Sequence, residues 1–194
     1  MRNHTMKYSP SFKLWHWLNA FVVLALIGTV LLRKTFLSYK INAEILMQKL
    51  SEIDIIITLE QAKSLAKAIR APMWEWHILL GYALTFLVLW RIVLYFRGGV
   101  KREKFSTLSL HKKGVILLYS TLYIALFFMS MSGLVIHFYE ALSLTKDTAH
   151  DIKELHEAVY TFILYFVPLH IVGVLIAENR EEKGIVSDML SVKA

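Results

Sequence analysis

The chain has no cysteine among its 194 residues. This absence excludes covalent haem attachment through a C-x-x-C-H motif, iron–sulfur clusters bound by cysteine, and disulfide bonds. A redox cofactor would therefore have to be bound non-covalently, through histidine or methionine. The sequence also has no internal repeat and no low-complexity tract.

Apolar residues make up 56% of the chain and are concentrated in four runs. Because about 20 predominantly apolar residues cross a bilayer as a helix, these runs predict transmembrane helices at about residues 12–33, 75–97, 111–138 and 152–177. The first run lacks a small-residue cleavage site and is interrupted by His16 and Asn19, so it is not expected to be a cleaved signal peptide. The predicted fold is an all-α, integral-membrane four-helix bundle that forms one domain.

Basic residues outnumber acidic ones, and the formal net charge is +7. In a chain with four membrane helices, lysines and arginines at the helix ends explain this charge better than nucleic-acid binding does. The short connection between the second and third helices is especially basic, with Arg97, Lys101, Arg102, Lys104, Lys112 and Lys113. The positive-inside rule therefore predicts that this connection and both termini are cytoplasmic.

Residues 34–73 form the longest segment outside the predicted membrane helices. Two stretches, at about residues 41–50 and 59–69, are amphipathic, and Ile55–Ile57 between them is too short to cross a bilayer. Pro72 is expected to end the segment. We predict an extracytoplasmic insertion of short amphipathic helices that either covers the membrane surface or binds a periplasmic partner.

The last apolar run contains His156 and His170, which are 14 residues apart. On an α-helix this spacing returns to within roughly 40° of the same face and separates the residues by about 21 Å along the axis. An imidazole inside a bilayer is costly unless it is paired or ligates a metal. Two such residues on one helix face therefore indicate a function.

Two further histidines lie near helix ends, His16 in the first helix and His77 in the second. Because successive helices alternate in direction, His16 should lie at the cytoplasmic level with His170, and His77 at the outer level with His156. Two pairs at two depths are what two bis-histidine haems b need in the core of a helical bundle.

Other interpretations of these histidines remain. A single interfacial histidine is more often a polar group at the membrane surface, and one in mid-helix can bond to a neighbouring helix. Structural zinc is a weaker alternative, because ligands about 21 Å apart cannot converge on one ion. A small permease would need polar residues at intermediate depths, where these helices are aliphatic and aromatic. A purely structural membrane anchor would not need histidines matched in depth.

Arg91 lies 14 residues after His77, on the same face and about 21 Å deeper. A membrane arginine that faces the bundle needs an anion, for which a haem propionate is suitable. Alternatively, its side chain extends to the cytoplasmic surface. Gly81 and Gly173 lie about one turn from His77 and His170, where they would allow either a porphyrin edge or a neighbouring helix to approach.

The third helix contains His111 and His137, which are not on one face. Each is either an interfacial polar group, a propionate contact, a proton acceptor at a quinone pocket, or a ligand in place of one of the four. Glu140 and Glu157 are further candidates for proton transfer. Pro168 is expected to kink the fourth helix just before His170.

Six segments carry a family resemblance: Lys13–Ala20, Trp76–Tyr82, Trp90–Ile92, Glu154–Glu157, Pro168–His170 and the tail Glu178–Met189. These segments resemble the bacterial cytochrome b561 family, which includes the b-type cytochrome subunits of membrane-bound nickel–iron hydrogenases. Together they lie in three of the four predicted helices and the C-terminus.

The resemblance implies a di-haem b cytochrome of the bacterial inner membrane, with His16, His77, His156 and His170 as the axial ligands. Such proteins transfer electrons between quinone and a redox partner, either as electron carriers or as the quinone-reactive subunit of an oxidoreductase. The 34–73 segment is longer than in compact stand-alone members, which favours a docked dehydrogenase, hydrogenase or c-type cytochrome on the extracytoplasmic side. Lipid is an expected partner, and a homodimer is left open.

Overall fold

The computed structural model describes residues 8–97, 109–180 and 184–191, apart from the side chain of His111. Every regular element in these ranges is an α-helix. In chain order the helices are α1 (Pro10–Lys34), α2 (Tyr39–Ser51), α3 (Leu59–Phe96), α4 (Leu110–His137), α5 (Lys146–Arg180) and α6 (Ile185–Leu190).

Four of these helices, α1, α3, α4 and α5, are long and apolar enough to cross a membrane. The predicted all-helical fold with four membrane-spanning segments is confirmed. The prediction that both termini are cytoplasmic rests mainly on the basic connection after α3, of which residues 98–108 lie outside the described residues. The orientation therefore stays a prediction.

The helix α3 begins much earlier than the apolar run that it contains. At its start, the Thr58 backbone N–H donates to Gln61 Oε1 at 2.8 Å, and the Gln61 N–H donates to Thr58 Oγ1 at 3.3 Å. This reciprocal capping box satisfies two backbone donors that the first helical turn leaves without partners. The helix then continues through Pro72, so the prediction that this proline ends the segment was wrong. A proline costs one backbone hydrogen bond, which a long helix stabilised on both sides can tolerate.

Two compact units divide the chain, and α1 and α3 contribute residues to both. Unit 1 comprises the chain up to Ala20 and from Leu84 onward, and unit 2 comprises Phe21–Ala83.

In unit 2, α2 is the first of the expected amphipathic helices, and the second amphipathic stretch is the N-terminal part of α3. Ala43 of α2 and Ala62 and Ala66 of α3 are fully buried in one cluster. Alanines have no side chain beyond Cβ, so they let two helices approach closely. The guanidinium of Arg70 lies 4.8 Å from the ring centroid of Tyr39 and covers one edge of this contact.

In unit 1, α4 packs against α5, and α6 is bound to the start of α1. The ammonium of Lys13 lies 2.9 Å from Asp188 Oδ1 and 3.3 Å from both the backbone oxygen and Oγ of Ser191. The Lys13 and Asp188 side chains are only 8% and 14% exposed. The Glu178 carboxylate accepts the backbone N–H groups of Gly184 and Val186, which joins α6 to the end of α5.

Candidate functional site

Two of the predicted ligands, His16 of α1 and His170 of α5, come together in unit 1. Their ring centroids are 6.3 Å apart, the rings are inclined by 60°, and both side chains are half-buried. The residues are separated by almost the whole chain. Their juxtaposition therefore depends on the packing of the helices within this unit.

The separation of these two rings can be compared with the size of a bis-imidazole metal site. When two imidazole nitrogens each bind a metal at about 2 Å on opposite faces, the ring centroids are roughly 6 Å apart. The observed 6.3 Å agrees with that arrangement. The distance between the two rings would therefore allow His16 and His170 to hold one haem iron between them.

Aromatic rings hold both members of the pair in place. The ring of Phe166 stacks on that of His170, with centroids 5.9 Å apart and planes inclined by 9°. The Tyr119 hydroxyl lies 3.2 Å from His170 Nδ1. On α1, the ring of Phe12 lies 6.5 Å from that of His16. Because Nδ1 faces the hydroxyl, Nε2 of His170 is the nitrogen that remains for a ligand.

Arg91 lies among three aromatic rings in the same unit. Its guanidinium carbon is 5.2 Å from the ring centroid of Phe12, 5.4 Å from Trp15 and 4.9 Å from Tyr123. Trp15 is fixed in turn, because its Nε1–H donates to the backbone oxygen of Leu87 at 2.7 Å. The rings attract the charge of Arg91 through their π faces.

The hydrogen bonding of Arg91 is incomplete among the described residues. Its Nη2 reaches the Tyr123 hydroxyl at 3.5 Å, whereas Nε is buried and has no hydrogen-bond partner. Buried polar groups in proteins nearly always have a partner. A buried guanidinium donor without an acceptor fits an anionic group such as a haem propionate, which accepts charge-assisted hydrogen bonds.

His156 of α5 contacts α4 in the same unit. Its Nδ1 lies 2.8 Å from Ser132 Oγ. Gly133, the next residue of α4, lies so close that a Cβ built on it would be 3.5 Å from His156 Cε1. A serine and a glycine side by side therefore determine the position of this imidazole.

His77 belongs to unit 2, where it contacts α1. Its Nδ1 lies 2.7 Å from Thr29 Oγ1. The ring of Trp74, one turn earlier in α3, meets it edge-on with centroids 5.6 Å apart, and Arg33 lies 5.2 Å from the Trp74 ring. Like His156, His77 presents Nδ1 to a hydroxyl oxygen.

The three hydroxyls that contact these histidines were not predicted from the sequence. Thr29 and Ser132 are 8% and 4% exposed, and Tyr119 is half-buried. Hydroxyl groups inside membrane helices can bond to their own backbone, so their presence in an apolar run does not by itself indicate a histidine contact. The only indication in the sequence was that each of the three hydroxyl residues lies in a predicted membrane helix, and a neighbouring predicted helix contains a histidine.

The remaining candidates are His111, His137, Glu140 and Glu157. The side chain of His111 is outside the described residues. His137 is exposed, with its ring 4.6 Å from that of Phe138. Glu140 is exposed and accepts the Tyr139 hydroxyl at 2.7 Å, and Glu157 is also exposed. Their roles in proton transfer or haem contact stay predictions from the sequence.

Two glycines near the histidines have open space beside them. A Cβ built on Gly81 or on Gly173 would have no described atom within 4 Å. Within the described structure, close helix packing therefore does not account for glycine at these positions. Among the described residues no three His, Asp or Glu side chains form a group that could hold a metal ion, as a structural zinc site would require.

Comparison with known proteins gives one match. A family model described as prokaryotic cytochrome b561 matches residues 7–192. No curated protein and no solved structure matches the chain. The family match covers nearly the whole chain, including all four helices that could cross a membrane. The chain therefore belongs to the prokaryotic cytochrome b561 family and is a multi-pass membrane haem b electron-transfer protein.

Proposed function

We propose that this protein binds two haems b, one through His16 and His170 and the other through His77 and His156. The single observation that carries the proposal is the pair of half-buried rings of His16 and His170, 6.3 Å apart. The second pair is proposed from the alternating helix directions, which predict that His77 and His156 lie at one depth. The spacing of 14 residues in α5 would then separate the two pairs by about 21 Å along the helix.

Arg91 is proposed to bind a propionate of the haem held by His16 and His170. The buried Nε without an acceptor supports this role, as does the ring cage that holds the guanidinium among residues of α1 and α4. A planar guanidinium can donate two parallel hydrogen bonds to a carboxylate. The rings would position this donor before the cofactor binds.

The protein is proposed to relay electrons across the inner membrane between the quinone pool and a redox partner. Haem b iron, when bound, supplies one-electron transfer between its ferric and ferrous states. Carrying one electron across the whole membrane couples to the potential by about 2.3 kcal/mol per 100 mV. The helical segment of α2 and the start of α3 is proposed as the extracytoplasmic docking surface for a dehydrogenase, a hydrogenase or a c-type cytochrome.

The first test is to purify the protein and measure its haem content together with a reduced-minus-oxidised spectrum. Two b haems per chain are expected. Absence of haem would falsify the proposal and leave a permease or a structural anchor as the remaining interpretations. Reduction of the purified protein by a quinol analogue tests the link to quinone, and no reduction under these conditions would contradict that part.

The second test separates the two pairs. His170→Ala and His156→Ala are each expected to remove one haem, and the two remaining spectra should differ. His16→Ala should reproduce the spectrum of His170→Ala, and His77→Ala that of His156→Ala. Exposed His150 provides the matched control, because His150→Ala changes a histidine of the same helix whose Nδ1 lies 3.7 Å from Glu154 Oε1 at the helix surface. Loss of the same haem in His170→Ala and His156→Ala would contradict the pairing.

A further inference from the structure

Two hydroxyl groups in the membrane helices have the same bonding pattern. Thr29 Oγ1 lies 2.6 Å from the backbone oxygen of Leu26 and 2.7 Å from His77 Nδ1. Ser132 Oγ lies 2.7 Å from the backbone oxygen of Phe128 and 2.8 Å from His156 Nδ1. Each oxygen is thus placed between a carbonyl of its own helix and an imidazole nitrogen of another helix.

The direction of these hydrogen bonds follows from which of the groups carry a hydrogen atom to donate. A hydroxyl has one hydrogen, and a backbone carbonyl can only accept. An oxygen–oxygen contact of 2.6–2.7 Å requires a hydrogen between the two atoms, so each hydroxyl donates to its carbonyl. The lone pairs of the hydroxyl are then available to the imidazole, and Nδ1 must be the donor. A neutral imidazole with its hydrogen on Nδ1 has its free lone pair on Nε2.

We propose that Thr29 and Ser132 are positioning residues that hold His77 and His156 in the tautomer that binds iron through Nε2. This inference rests on the proposed function, in which these two histidines are the ligands of one haem. Each hydroxyl is buried and anchored to its own helix, so it also restricts rotation of the imidazole. Thr29 of α1 and Ser132 of α4 would therefore hold the two histidines in the same way.

The same hydrogen bonds would influence the electron density that His77 and His156 donate to a bound iron. An Nδ1–H group that donates to an acceptor makes the imidazole more basic, which favours the ferric state. A neutral hydroxyl that has already donated its hydrogen polarises the ring less than a carboxylate would. Removal of either hydroxyl is expected to shift the midpoint potential of this haem to a more positive value. The haem held by His16 and His170 should keep its potential.

The experiment compares Thr29→Val and Ser132→Ala with the wild type in redox titrations. Both variants should retain two haems per chain, and the same one of the two midpoints should move to a more positive potential in each. Thr29→Ser keeps the hydroxyl and should restore the wild-type value. Unchanged midpoints in both variants, or shifts of different haems, would overturn the proposal.

Ser130 provides a matched control on α4. It is 3% exposed, and its Oγ donates to the backbone oxygen of Leu126 at 3.0 Å, as Ser132 does to Phe128. Ser130→Ala removes the same group from the same helix, two residues away from the histidine contact. Both midpoints should stay at their wild-type values. An equal shift in Ser130→Ala would show that the effect comes from the helix and not from the histidine contact.

A second measurement does not depend on bound haem. In protein labelled with nitrogen-15 at histidine and prepared without haem, nitrogen chemical shifts report which ring nitrogen carries the hydrogen. His77 and His156 should be in the Nδ1–H form, and each should lose this preference in Thr29→Val or Ser132→Ala. The Nε2–H form in the wild type would overturn the inference even if two haems bind. Absence of haem with the expected tautomers would instead contradict the proposed function.

Discussion

Gly133 of α4 faces His156 of α5, and a Cβ built on the glycine would lie 3.5 Å from Cε1 of the imidazole. This distance is an ordinary van der Waals contact, so Gly133→Ala should keep both haems. The longer side chain in Gly133→Leu should displace the imidazole and reduce the haem content to one per chain. Gly114→Leu on the same helix is the control, because its Cβ would meet no described atom within 4 Å. Two haems in Gly133→Leu would contradict this prediction.

Replacement of Arg91 should weaken haem binding at His16 and His170. A hydrogen bond to a charged group contributes about 1.5–3 kcal/mol, so Arg91→Leu should lower the affinity of this site for haem by about 10- to 100-fold. Arg91→Lys keeps the charge but loses the planar donor and should fall between Arg91→Leu and the wild type. Haem titration of each variant measures the effect. Tyr123→Phe, which keeps the ring, should bind haem nearly as the wild type does, and a full loss there would argue against the role of Arg91.

The buried ion pair of Lys13 and Asp188 should be important for stability. Asp188→Ala removes the carboxylate that balances the charge of a buried ammonium and should destabilise the protein by about 3 kcal/mol. Thermal unfolding in detergent measures this change. The exposed pair of Lys49 and Glu52 is the control, and Glu52→Gln should cost less than about 0.5 kcal/mol. Equal losses of stability in Asp188→Ala and Glu52→Gln would contradict the importance of burial for the ion pair of Lys13 and Asp188.

The two tryptophans beside His16 should respond differently to the same substitution. Trp15 is 3% exposed and donates to the Leu87 carbonyl at 2.7 Å, whereas Trp17 is 48% exposed and donates to Met189 at 3.1 Å. Trp15→Phe loses a buried hydrogen bond and should cost about 1 kcal/mol or more, while Trp17→Phe should cost less. Thermal unfolding of both variants measures which of them loses more stability. A larger loss for Trp17→Phe would reverse this ranking.

The long helices could be predicted because apolar runs of membrane length admit few alternatives. The boundaries of the helices were harder to predict than the helices themselves, and the start of α3 is the clearest case. Thr58 and Gln61 have the spacing of a capping box, but Pro72 was expected to end the 34–73 segment, with the membrane helix starting after it. Ala62 and Ala66 of α3 pack against Ala43 of α2 in the part of the helix that precedes this proline.

Part of the candidate site could also be predicted, because histidine and arginine are rare in membrane helices. The pairing of His16 with His170 follows from their depths, and the structure places these two rings together. The hydroxyl contacts of Thr29 and Ser132 could not be predicted. They depend on the rotation of each helix about its axis, which a sequence does not specify for residues that bond equally well to their own backbone.

The ion pair between Lys13 of α1 and Asp188 of α6 also constrains the order of events in folding. Asp188 lies 175 positions after Lys13, beyond the last of the four long helices. The ion pair can therefore close only after all four long helices have been synthesised. Closure of this contact would thus report that α6 has been made and has reached the start of α1.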